Sequence, residues 1–175
     1  MKKGDCFLCS ETNCRTLYYI VDVATDKLDA LHIYIGQDMV QGLECPSEYD
    51  DDIPEDIVMM PSSMYDTIKK LMRKYVKKIH SVLIKEQLEE DFEIMSGGNY
   101  TDGSYIYTMT MFDGNRWLYQ LFRVEDENIS PYWTGEATAE TLKCLLRPIS
   151  DGTMAKVQRL YEKLREEISS LLDKS

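Results

Sequence analysis

Between Met64 and Leu83 the apolar residues Met64, Ile68, Leu71, Met72, Tyr75, Ile79, Val82 and Leu83 recur at three- and four-residue spacing. That period gathers them on one stripe of an α-helix. Lys69, Lys70, Arg73, Lys74, Lys77 and Lys78 fall between them, so the predicted helix has one face for a core and a cationic remainder. Pro61 marks its entry, and Ser62 or Ser63 supplies the cap. The pattern runs to about Glu90, where Glu86, Glu89, Glu90 and Asp91 crowd the end of the backbone dipole that disfavours anions. A second stripe of Val157, Leu160, Leu164, Ile168 and Leu171 predicts a long helix over Asp151–Leu172. A shorter one is expected over Glu136–Leu146, stopping before Pro148.

Other segments have the period of two that strands need. Leu31, Ile33 and Ile35 alternate with His32 and Tyr34, and with the β-branched and aromatic run Leu17–Ala24 they predict a hairpin turning at Thr25-Asp26-Lys27. Ser104–Phe112 and Arg116–Val124 predict a stronger hairpin, with Asp113-Gly114-Asn115 as its turn and the glycine supplying a positive φ. Residues 36–61 hold three prolines, two glycines and many acids; they read as an irregular excursion with one short element near Val58–Met60. Glu125–Gly135 reads as a loop. The expected fold is α+β: a roughly four-stranded antiparallel sheet of two hairpins, packed with one long central helix and two C-terminal helices. At 175 residues the chain is expected to form one domain, 1–175, with an acidic loop excursion at 36–61.

Charge is the second strong feature. Glu44, Glu48, Asp50, Asp51, Asp52, Glu55 and Asp56 crowd one short stretch, whereas residues 63–85 carry seven basic side chains and one acidic. The whole chain has a net charge of −11, which repels a phosphate backbone from most of its surface. Opposed charge blocks of this kind steer partners and perform no chemistry alone. No apolar run approaches the ~20 residues that cross a bilayer, and Met1-Lys2-Lys3 leads into no apolar stretch of a signal peptide. A cytoplasmic location is the expectation.

Motifs of high specificity are missing. Gly97, Gly98 and Gly103 have no following lysine and lead into a strand, so they make no phosphate loop. The acidic cluster lacks the glycine of a calcium-binding EF-hand. His32 and His80 belong to no local arrangement of nucleophile, base and carboxylate. Cys6, Cys9 and Cys14, with His32 or Cys45 as a fourth ligand, have the residue types and short spacing of a structural zinc site. The plainer expectation is that they are free thiols and that no cofactor is needed. Cys144, between Leu142 and Leu145, is expected in the core.

Two surfaces remain for binding. Tyr105, Tyr107, Trp117 and Tyr119 share one face of the predicted hairpin and can form a ligand groove, a protein interface or core. The cations Lys70, Arg73, Lys74, Lys77 and Lys78 offer an alternative anion-binding surface for nucleic acid or an anionic membrane. The leading expectation is a non-enzymatic, inhibitor-like protein-binding module. It would dock a basic protein partner through Glu44, Glu48, Asp50, Asp51, Asp52, Glu55 and Asp56, together with the aromatic face. A small enzyme without a local motif, a nucleic-acid or membrane-surface module and a self-associating subunit are the alternatives.

Overall fold

A computed structural model describes residues 1–23, 28–37, 39–49, 56–85 and 92–174, with residues 28 and 43–49 described by their backbone alone. The fold is α+β as expected, but its described residues form ten antiparallel strands, not four, with three helices. Two compact units divide the chain. Unit 1 comprises Met1–Met72 and Leu164–Ser175, and unit 2 comprises Arg73–Lys163.

Unit 1 contains β1 (Cys6–Ser10), β2 (Arg15–Val23), β3 (Leu28–Ile35), β4 (Val40–Tyr49) and β5 (Ile57–Met60), paired in the order β5-β1-β2-β3-β4. The register sets Leu8 opposite Leu17 and Leu17 opposite Ile33, so these three line one face. Phe7, Cys9, Tyr18, Ile20 and Ala30 pack together on the other, with Phe7 and Tyr18 stacked at 4.8 Å. Burial on both faces explains why β1 reads as a continuous apolar run without alternation. The expected hairpin is therefore the centre of a larger sheet. The segment expected to be irregular contains all of β4, which accepts Gly42 and Pro46, and β5, close to the short element foreseen there. The expected turn 25–27 and Asp50–Glu55 lie outside the described residues.

Helix α1 (Ser63–Leu83) buries Met64, Tyr65, Ile68, Met72, Tyr75, Val76, Ile79 and Leu83. This is the expected stripe, widened by Tyr65 and Val76, while Leu71 and Val82 are half-buried. Lys70, Arg73, Lys74, Lys77 and Lys78 are exposed. The helix ends at Leu83, with Ile84 and Lys85 in a turn, so it stops short of the expected end near Glu90; residues 86–90 themselves lie outside the described residues.

Unit 2 contains β6 (Asn99–Thr101), β7 (Tyr105–Asp113), β8 (Arg116–Glu125), β9 (Asn128–Thr138) and β10 (Arg147–Pro148), in the order β9-β8-β7-β6-β10. The expected hairpin is β7–β8, and Gly114 has the positive φ, +51°, its turn needs. The expected loop Glu125–Gly135 is instead mostly strand. Asp126 at φ +51° starts a tight reversal that pairs Glu125 with Asn128, and β9 follows. At the end of β9, Thr138 caps α2 (Ala139–Leu145), its hydroxyl accepting from the Thr141 amide at 3.3 Å. The expected start at Glu136 thus moves inward by three residues. Cys144 is exposed, not in the core; Leu142 and Leu146 supply the buried positions. Helix α3 spans Asp151–Leu172, as the spacing predicts. No described helix is long and apolar enough to cross a membrane.

One ion pair fastens α1 to the β8–β9 turn within unit 2. Arg73 meets Glu127, whose side chain is 3% exposed, and about two turns further along the helix His80 Nε2 contacts the Val124 carbonyl. Removing the guanidinium would leave a buried carboxylate to be compensated by its other neighbours, whereas removing the carboxylate would leave a half-exposed guanidinium that water can solvate. Arg73→Ala is therefore expected to cost about 2 kcal/mol, with part regained in Arg73→Ala/Glu127→Gln. Urea unfolding of the three proteins measures this; equal stability of the single variant and the parent would remove the pair from the account.

Candidate functional site

The β7–β8 register puts Tyr107 opposite Leu121, Met109 opposite Tyr119 and Met111 opposite Trp117, so the expected aromatic face exists. Its two ends differ. At one end Trp117 is 6% exposed and packs with Met109, Tyr100, Ile94, Leu142 and Leu146. Trp117 therefore belongs to the core. At the other end Tyr105, Tyr107 and Tyr119 are half-buried and lead outward to two aromatics from the segment expected to be a loop: Tyr132, 60% exposed, and Trp133, 56% exposed.

A shift in the β8–β9 ladder brings them there. Leu121 pairs with Trp133 and Phe122 with Pro131, so Tyr132 is an extra residue opposite no partner. Such a bulge lets consecutive side chains lean to the same side. Tyr132 reaches Tyr105 at 6.5 Å, and Trp133 reaches Tyr119 edge-on at 5.9 Å. Tyr105–Tyr107 at 6.5 Å and Tyr107–Tyr119 at 5.4 Å complete a ladder of five rings. Gly135, opposite Tyr119, makes the close approach possible: a Cβ there would lie 2.6 Å from both the Trp133 ring and the Tyr119 hydroxyl.

Carboxylates border the ladder. Tyr107 donates to Asp102 Oδ2 at 2.8 Å, and Tyr105 donates to Glu125 Oε2 at 3.1 Å. Burial first, then the hydrogen-bonded carboxylate, pushes both phenols above the ordinary tyrosine range. Both therefore remain neutral donors at physiological pH. Arg123 donates to Glu125 Oε1 at 2.8 Å and lies over the Tyr132 ring at 5.2 Å. The site already contains one cation held between a carboxylate and a π face.

The other residues singled out in the sequence fall elsewhere. Cys6 and Cys9 lie three residues apart on β1 and so point to opposite faces. Among the described residues no three His, Cys, Asp or Glu side chains gather as a metal-holding group, so Cys6, Cys9, Cys14 and His32 are not brought together as ligands. Burial pushes the Cys6 thiol up to about 11 and raises Cys9 as well, which makes both poor nucleophiles. Glu44 and Glu48 lie on β4, where only the backbone is described, and Asp50, Asp51, Asp52 and Glu55 lie outside the described residues. Asp56 is exposed. On α1, Lys74 and Lys78 lie over the Tyr75 ring, while Arg73 is paired with Glu127. The chain matches no protein-family model and no curated protein.

Gly135→Ala is expected to displace the Trp133 and Tyr119 rings without unfolding the protein, because the atoms in the way are the far ends of movable side chains. Near-ultraviolet circular dichroism should change while the far-ultraviolet spectrum is kept; no change in the former would mean that the rings do not rest on Gly135. His32 gives a separate test in unit 1. It is half-buried beside Tyr18 at 5.7 Å. Burial lowers its pKa below 6.5, against a smaller opposing effect of its hydrogen bond with Ala30. As pH falls through about 6.5, the unfolded chain takes up a proton that the native state refuses, so stability should fall until the lower native pKa is passed. Urea unfolding from pH 8 to pH 5 should show this loss, and His32→Gln should flatten it.

Proposed function

We propose that this protein is a non-enzymatic binding module that docks a basic segment of a partner protein. The observation that carries the reading is the exposed end of the aromatic ladder, Tyr132 and Trp133, bordered by Asp102 and Glu125. Rings present their negative faces to cations, and exposed Trp and Tyr give large contact area with little side-chain entropy to lose. Asp102 adds attraction for lysine or arginine and opposes phosphate, while Glu125 is already matched by Arg123. The acidic residues Glu44, Glu48, Asp50, Asp51, Asp52, Glu55 and Asp56 act at longer range, raising the rate of encounter with a basic partner. In this reading Tyr132 and Trp133 supply most of the affinity, and Tyr105, Tyr107 and Tyr119 hold them in place.

Titration of the full chain with a lysine- and arginine-rich peptide, followed by tryptophan fluorescence, tests the proposal. Because Trp117 is buried, the response should come from Trp133. Saturable quenching that weakens with added salt is expected. Trp133→Ala should reduce affinity by roughly tenfold or more, as loss of an aromatic hot spot does, and neutralising Glu44–Asp56 should slow association. A peptide of opposite charge that binds as well, or affinity indifferent to Trp133, would overturn it.

A further inference from the structure

Strand β5 is the outer strand of the unit 1 sheet and, among the described residues, pairs with β1 alone. Its register sets Val58 opposite Leu8 and Met59 opposite Phe7, on opposite faces of the sheet. Leu8 and Phe7 are 6% and 3% exposed, but Val58 is 54% exposed and Met59 53%. Burial on both faces therefore stops between one strand and the next, and the layers that cover β1 do not reach across β5. An edge strand left to water is normally blunted by a charge, a proline or a bulge. The outer strand of unit 2 follows that rule, since β10 is Arg147-Pro148. Ile57-Val58-Met59-Met60 holds no charge and no proline, and its ladder with β1 runs without a register shift.

Backbone geometry fixes which groups this edge offers. The Glu11 amide donates to the Cys14 carbonyl at 2.9 Å, and the Ile20 amide to the Asp5 carbonyl at 3.0 Å. Phe7 and Cys9, in step with Asp5 and Glu11, thus direct their N–H and C=O to β2, while Cys6 and Leu8 direct theirs to β5. Their partners Met60 and Val58 face back toward β1, so the N–H and C=O of Ile57 and Met59 point away from the sheet. For this pattern β5 is its own complement. With Val58 at the centre of an antiparallel pair, Ile57 of each copy meets Met59 of the other, and both outward groups of each residue are bonded around a two-fold axis. Apolar side chains then meet on both faces. Charge favours the same arrangement. The sequence is acidic up to Asp56 and basic from Lys69 through Lys78. Antiparallel pairing sends the acidic approach of one copy toward the basic helix of the other, whereas parallel pairing would set like charges side by side.

We propose that the β5 edge is a self-association surface, on which a second copy of this chain adds its own β5 antiparallel to continue the sheet. A strand of four residues makes a small interface, so the association is weak, with a dissociation constant on the order of 100 µM. Sedimentation equilibrium of the full chain, from about 10 µM to about 1 mM, should show the average mass rising toward that of two chains. Over the same range, hydrogen exchange of the Ile57 and Met59 amides, followed by NMR, should slow about fourfold. The Val58 and Met60 amides, already bonded to β1, should keep their rates and serve as the internal control. Val58→Lys puts a charge on a side chain that is exposed in the single chain, and it should weaken association by roughly tenfold or more. Circular dichroism verifies that the variant folds, and the exchange measurement on the parent decides independently of it. A chain that stays single up to about 1 mM, association without slowing at Ile57 and Met59, or a dimer indifferent to Val58→Lys would overturn the proposal.

Discussion

Leu121 stands opposite Trp133, and Phe122 opposite Pro131, leaving Tyr132 without a partner across the strand pair. What unit 2 presents to its surroundings depends on that one-residue shift. In a regular ladder adjacent residues face opposite sides of a sheet, and Tyr132 and Trp133 would be separated. The bulge places both beside the tyrosines of β7 and β8. Gly135 then gives the rings room, and Asp102 and Glu125 orient two of the phenols beneath. Each element is local; together they turn a core face into one with an accessible aromatic end.

The helices and the β7–β8 hairpin were legible because each carries a period over many residues. Two further strands were hidden for opposite reasons. β1 is buried on both faces, so Cys6-Phe7-Leu8-Cys9 shows no alternation, and its cysteines draw attention to metal chemistry instead of pairing. β9 contains Pro131 and Gly135, which normally argue for a loop. Pro131 sits at the bulge, where a missing ladder donor is tolerated, and Gly135 is required by the rings packed over it. β10 and β6 are two and three residues long, too short for any periodicity to register.

The same pattern governs the candidate site. Tyr105, Tyr107 and Tyr119 could be assigned to one side by counting in twos, and the registers bear that out. Counting could not separate the sealed end from the open one, because that depends on α2 and the 92–94 segment covering Met109 and Trp117. Tyr132 and Trp133 stand out in the sequence as a knot of aromatics close to the hairpin, but the side that Tyr132 takes follows from the bulge and not from spacing.

Electrostatics sets the state of the phenols in the ladder. At the ladder, the Tyr105 and Tyr107 protons point to Glu125 and Asp102, so these phenols have no second proton to offer an incoming anion. What remains is oxygen lone pairs, π faces and carboxylate charge, of which Arg123 already takes the Tyr132 face and Glu125 Oε1. Loss of either phenolic proton would place a second negative charge beside a carboxylate, and burial raises the cost further, so the arrangement holds across the physiological pH range.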